Sequence, residues 1–180
     1  VFMLEKKNRK DFIRWVIIGC ALTSFGLIAW NVVSSMDNGG PIPFDESVRH
    51  WVYDKRSPLL NALFIPVTYT GNWQTITVIC LILLAFRKTR LTYGVPLSIG
   101  ALFVSFANKG IKAIVMRPRP DQAMFLIEQG GWSFPSGHAI TSMFFYGMAI
   151  WLIRRNVTDR RLADILTVLL AIPMVLIGVS

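Results

Sequence analysis

Long apolar runs, each closed by lysines and arginines, constrain this chain more than any other feature. Residues 12–33 are apolar apart from Arg14 near the start and Asn31 near the end. A helix of that length rises about 33 Å, enough to cross the hydrocarbon core of a bilayer. Further apolar runs cover residues 73–86, 91–115, 138–153 and 162–180. The run 73–86 is short and spans only with help from the preceding residues or an adapted bilayer. With 53% hydrophobic residues and a mean hydropathy of +0.50, the chain is too apolar for an ordinary soluble domain. The reading is an all-α, polytopic membrane helix bundle, with five spans in one transmembrane domain over residues 1–180.

A basic stretch, E-K-K-N-R-K, precedes the first run, as in a signal peptide. The run is too long for a signal h-region and no small-x-small cleavage site follows, so an uncleaved first span is expected. Residues 34–58 are polar and turn-rich, with Asp37-Asn38-Gly39-Gly40-Pro41 as a loop signal. Within them, 44–53 reads as a short interfacial helix capped by Asp45. Residues 58–69, which include Pro66, read as a half-buried or interfacial helix, and Gly71-Asn72 breaks it. Residues 87–90 and 154–161 read as basic turns. Cys20 and Cys80 lie inside apolar runs and are expected as buried packing residues rather than a disulfide. No CxxC metal clip is present.

The net charge of +9 is not a nucleic-acid signature, because the basic residues cluster at the ends of apolar runs. Twelve lie in the N-terminal flank and the two basic turns: Lys6, Lys7, Arg9, Lys10, Arg14, Arg87, Lys88, Arg90, Arg154, Arg155, Arg160 and Arg161. Seven fall on the other side: Arg49, Lys55, Arg56, Lys109, Lys112, Arg117 and Arg119. The positive-inside rule then puts the N-terminus in the cytoplasm and the 116–137 loop outside. Trp15 and Trp151 fall at the inner interface, and Trp30 and Trp73 at the outer one.

That loop carries the chemistry. Lys112 is followed by Arg119-Pro120 as K-x6-R-P, and fifteen residues after Pro120 begins P-S-G-H, Pro135 to His138. Arginine forks and lysine point charges bind phosphate oxygens. Ser136-Gly137-His138 leads into an apolar helix, whose N-terminal N–H groups favour an anion. An imidazole beside cations trades protons near neutral pH.

These motifs, in this order between apolar runs, resemble the type 2 phosphatidic acid phosphatase family, the membrane relatives of the vanadium haloperoxidases. The third signature of that family, S-R-x5-H-x3-D, would begin at Ser180. The resemblance implies about six spans and hydrolysis of a lipid phosphate or diphosphate at the outer face. Undecaprenyl diphosphate, phosphatidylglycerol phosphate and phosphatidic acid are the substrate candidates. It implies that Lys112, Arg119, Ser136 and Gly137 bind the phosphate and that His138 is the general acid. The histidine of the third signature attacks phosphorus and forms a phosphohistidine, without metal or other cofactor. The partners are a lipid phosphate and the bilayer, with no nucleic acid; a homodimer is open to it. The localisation implied is a bacterial plasma membrane.

The chain has two histidines, His50 and His138. His50 lacks the surroundings of the family's nucleophile and reads as a solvated loop residue. The expectation is therefore a chain cut off before its last span. The alternative is a catalytically incomplete lipid-phosphate binding protein. A transporter with a cationic pocket would show matched broken halves, and none is visible. Simpler roles exist for each residue. Lys109 and Lys112 can snorkel, and Arg117 can contact substrate or anionic headgroups. Asn108 can bond between helices, and Gly130-Gly131 can supply loop flexibility or a lid. Phe134, Met143, Phe144 and Phe145 read as lipid-facing packing.

Overall fold

The computed structural model describes residues 2–37, 42–119 and 130–179, and all of its regular structure is helical. Helix is the form in which an apolar segment satisfies its own backbone groups in lipid. The chain divides into two compact units, Val1–Trp51 and Val52–Ser180.

The first unit is built on α1 (Phe2–Asp37), which contains an apolar stretch, Phe12–Met36, long enough to cross a membrane. Its side chains Phe12, Trp15, Leu22, Leu27 and Trp30 are exposed, as lipid-facing residues would be. Cys20 is exposed as well, so it is not a packing residue. Next comes α2 (Pro43–Asp54). Proline needs no N–H bond and has a helical φ, so the helix begins at Pro43, two residues before Asp45. Asp45 therefore sits in the first turn rather than at the cap. There its carboxylate still favours the positive end of the helix dipole.

In the second unit, Ser57 caps α3 (Pro58–Thr70), its hydroxyl accepting from the Leu60 N–H at 3.3 Å. Gly71 and Asn72 separate α3 from α4 (Trp73–Ala85), and the two helices are bent by 52°. Together they are long and apolar enough for one broken span. Residues 87–90 do not form the expected turn. Phe86 alone leaves the helix, and α5 (Arg87–Thr89) runs through a π-helical turn, Arg90–Gly94, into α6 (Val95–Val115). Arg90 donates to the Leu84 carbonyl at 2.7 Å, which ties this turn to the end of α4. After the central loop come α7 (Gly137–Asn156) and α8 (Arg160–Val179). The Asp159 carboxylate caps α8, accepting from the Arg161 N–H at 2.9 Å.

Among the described residues, three helical stretches are long and apolar enough to cross a membrane, or four if the α3–α4 pair is one span. α7 is not among them, because His138, Thr141 and Ser142 near its start and Arg154 and Arg155 at its end lower its hydropathy. Ser142, Phe145, Tyr146, Ala149 and Leu152 are buried on one face of it. Phe145, Tyr146, Ala149 and Leu152 pack with Ile76 and Cys80 of α4, Leu97 of α6 and Ile177 of α8. Phe145 is thus a core residue at 3% exposure, while Met143, two positions away, is 66% exposed. The 3.6-residue period separates side chains that look alike in sequence.

α6 and α7 run antiparallel and touch closely at Gly100. A Cβ there would stand 2.5 Å from Cε1 of Phe144 and 3.0 Å from Sδ of Met148. Gly100→Leu is therefore expected to cost about 1–3 kcal/mol or more through overpacking. Thermal unfolding in detergent checks this. Gly110→Leu, on the same helix with nothing within 4 Å, is the control that should melt like the parent.

Candidate active site

The candidate site is built from four segments of the second unit: the end of α6, the loop ends and the start of α7, which carry the sequence motifs, and the α3–α4 break. Lys112 is in the last turn of α6. The helix stops at Met116, which takes a left-handed conformation (φ 49°) and returns its N–H to the Lys112 carbonyl at 2.9 Å. That cap turns the chain sharply and brings Arg117 to Arg119 back toward the bundle.

The two ends of the loop are stapled together. The Ser133 N–H donates to the Arg117 carbonyl at 2.9 Å, and its hydroxyl to the Pro118 carbonyl at 2.8 Å. Across the staple, Arg119 donates from Nε to the Gly131 carbonyl at 3.0 Å and from Nη2 to the Gly130 carbonyl at 3.1 Å. Lys112 Nζ donates to the Trp132 carbonyl. Three consecutive carbonyls are thus turned toward two cations. Gly130 and Gly131 serve here as acceptors that fix Arg119, not as slack. Neutral oxygens orient the cations but leave their charge uncancelled by these contacts, so an anion still gains by approaching. Partial burial lowers the pKa of the Arg119 guanidinium from its ordinary value. A guanidinium stays protonated at any working pH all the same.

Ser136 is the N-cap of α7, its Oγ accepting from the Ala139 N–H at 3.3 Å. Accepting leaves the hydroxyl proton able to donate outward. Gly137 is the first helical residue, and a Cβ on it would lie 3.3 Å from Nδ2 of Asn108. A side chain there would need Asn108 to shift by a few tenths of an ångström. The Oδ1 of Asn108 has no partner among the described residues. His138 follows, half-buried. Asn108, one turn before Lys112 on α6, lies against Gly137, the neighbour of His138, so the end of α6 meets the start of α7 here. Its Nε2 is hydrogen-bonded to Oδ1 of Asn72, in the α3–α4 break.

Asn72 reads in sequence only as a helix breaker, and no motif marks it. Equally invisible there are the carbonyls of residues 130–132, since main-chain acceptors leave no residue-type signal. Arg117 is half-buried. Lys109 is exposed on α6, and His50 is exposed on α2 of the first unit. Among the described residues, no three His, Cys, Asp or Glu side chains gather as a metal set.

With this geometry in hand, comparison with known proteins is informative. The PAP2 superfamily pattern matches residues 91–180. No curated protein sequence matches the chain. Among solved structures, the chain is similar to the crystal structure of the first transmembrane PAP2 type phosphatidylglycerolphosphate phosphatase from Bacillus subtilis. The two are 20% identical, the TM-score is 0.69, and the match covers 87% of this chain and 79% of that one.

Proposed function

The chain belongs to the PAP2 superfamily of membrane lipid phosphatases, and from that premise we propose that it hydrolyses a lipid phosphate or diphosphate at the extracytoplasmic face. The reading rests on one observation above the others: Lys112 and Arg119 bond the successive carbonyls of residues 130–132, and Asn108, one turn before Lys112 on α6, lies against Gly137, the neighbour of His138 at the N-terminus of α7.

In this reading Lys112, Arg119, the Ser136 hydroxyl and the Gly137 N–H grip the non-bridging oxygens. Phosphoryl transfer asks mainly for such positioning and charge neutralisation. His138 gives a proton to the departing oxygen as the P–O bond breaks. The attacking histidine is that of the third family signature, and water then cleaves the phosphohistidine. Undecaprenyl diphosphate, phosphatidylglycerol phosphate and phosphatidic acid remain the candidates. The solved relative is a phosphatidylglycerolphosphate phosphatase, which favours testing that lipid first.

We read α1, the α3–α4 pair, α5–α6, α7 and α8 as five crossings of one transmembrane domain in a bacterial plasma membrane. The positions of the charges support the orientation. Arg154 and Arg155 end α7, Arg160 and Arg161 begin α8, and Arg87 to Arg90 lead into α6. The antiparallel order of these helices puts that basic rim at the opposite end of the unit from Lys112 and His138.

The test is phosphate release by the full-length protein in proteoliposomes, from a panel of prenyl diphosphates and phospholipid phosphates. Right-side-out vesicles are expected to cleave added lipid phosphate. Cleavage only by inverted vesicles would overturn the orientation. Tight binding without release from any lipid would favour the alternative, a binding protein.

A further inference from the structure

The α3–α4 break contains an asparagine that does not do what asparagine at such a place usually does. Asn72 is the N-cap of α4, with extended backbone (φ −69°, ψ 149°), yet its side chain makes no capping bond. An Asn N-cap normally accepts from the first-turn N–H groups and stabilises the helix by about 1 kcal/mol. Here Oδ1 instead meets Nε2 of His138, sixty-six residues along the chain.

The corner that presents it is held from two sides. The Tyr146 hydroxyl of α7 donates to the Thr70 carbonyl at 3.1 Å. On the α8 side, a Cβ on Gly71 would lie 3.1 Å from Cγ2 of Ile177, so backbone and side chain there are in close contact. The Gly71 N–H closes the end of α3 onto the Thr68 carbonyl at 3.0 Å. α7 therefore fixes the corner through Tyr146 and receives Asn72 through His138.

Which nitrogen of an imidazole carries its proton is set by the bond the other makes. We propose that Asn72 is a positioning residue for His138: its carboxamide oxygen holds the Nε2 proton, so Nδ1 is the nitrogen that exchanges a proton with the leaving oxygen. This rests on the reading of His138 as general acid. As the P–O bond breaks, its electron pair goes to the departing oxygen, which takes the Nδ1 proton of the imidazolium. The ring is left as the neutral Nε2–H tautomer, still bonded to Asn72. Nδ1 then accepts a proton from the water that attacks the phosphohistidine, restoring the imidazolium. A carboxamide suits this place better than a carboxylate. It accepts the hydrogen bond without taking the proton and sets no negative charge beside an incoming phosphate.

The test uses the full-length protein with 15N-labelled histidine, the His138 signals being assigned by their loss in His138→Gln. At a pH where the ring is neutral, the parent is expected to show the Nε2–H tautomer. Asn72→Ala is expected to mix the tautomers and lower kcat about 10–100-fold, as loss of an orienting partner typically does, with KM for phosphatidic acid vesicles little changed. Asn72→Asp keeps the acceptor, so it should restore the tautomer while raising KM for the anionic lipid. It also decides the matter if Asn72→Ala does not fold. An Nδ1–H tautomer in the parent, or unchanged tautomer and turnover in Asn72→Ala, would overturn the proposal. Parental turnover in His138→Gln would instead remove the general-acid reading beneath it.

Discussion

Arg119→Ala is expected to lower kcat/KM for lipid phosphate about 1,000-fold while the protein still folds. Removing a single donor aimed at a reacting oxyanion typically costs about 100–1,000-fold, and a guanidinium is a charged, two-pronged donor. Part of the loss falls on KM, because the ground-state phosphate is already anionic. Part falls on kcat, because charge on the equatorial oxygens is redistributed as the bond breaks. Arg119→Lys should recover little. An ammonium is a point charge and cannot bridge the Gly130 and Gly131 carbonyls that aim the native fork. Released phosphate, measured alongside the melting curve, checks this. Near-parental release from a folded Arg119→Ala would take the residue out of the site.

The second large effect belongs to His138. His138→Gln should lower kcat by about 100–10,000-fold, the span that positioned proton transfer usually provides, with KM less affected. The leaving group makes the test specific. A nitrophenyl ester departs without needing a proton, so much of the defect should disappear when that ester replaces an ordinary alkyl phosphate. An equal loss on both esters would show that His138 holds the phosphate rather than protonating the leaving oxygen.

The fold could be read from the chain wherever lipid dictates it. Each long apolar run became a helix, because a backbone in hydrocarbon has no other partner. Reading faltered where neighbours decide. Phe145 and Met143 are chemically alike, yet one joins Tyr146 in the core and the other points away. Cys20 and Cys80 sit in similar runs, but only Cys80 has helices packed around it. Residues 87–90 look like a turn by charge, yet the helix runs through them, because a single extended residue, Phe86, suffices for the break.

The site divides in the same way. Lys112, Arg119 and Ser136 to His138 are visible because the proposed phosphate chemistry would restrict residue type at fixed spacing. Asn72 is not visible, since one asparagine between two apolar helices has many uses. Only its failure to cap α4, together with its contact across the bundle, sets it apart.

The pairing of α6 with α7 carries one more consequence. Gly100 receives Phe144 at one place, and Asn108 meets Gly137 at another. Along the helix axes these places are about 12 Å apart on α6 and about 10 Å apart on α7. Two such contacts along the pair resist sliding of one helix past the other. The gap between amine and imidazole is thus gauged by buried helical surfaces, like the jaws of a calliper. Substitutions at Gly100, far down α6 from Lys112, are therefore expected to alter the separation of Lys112 and His138.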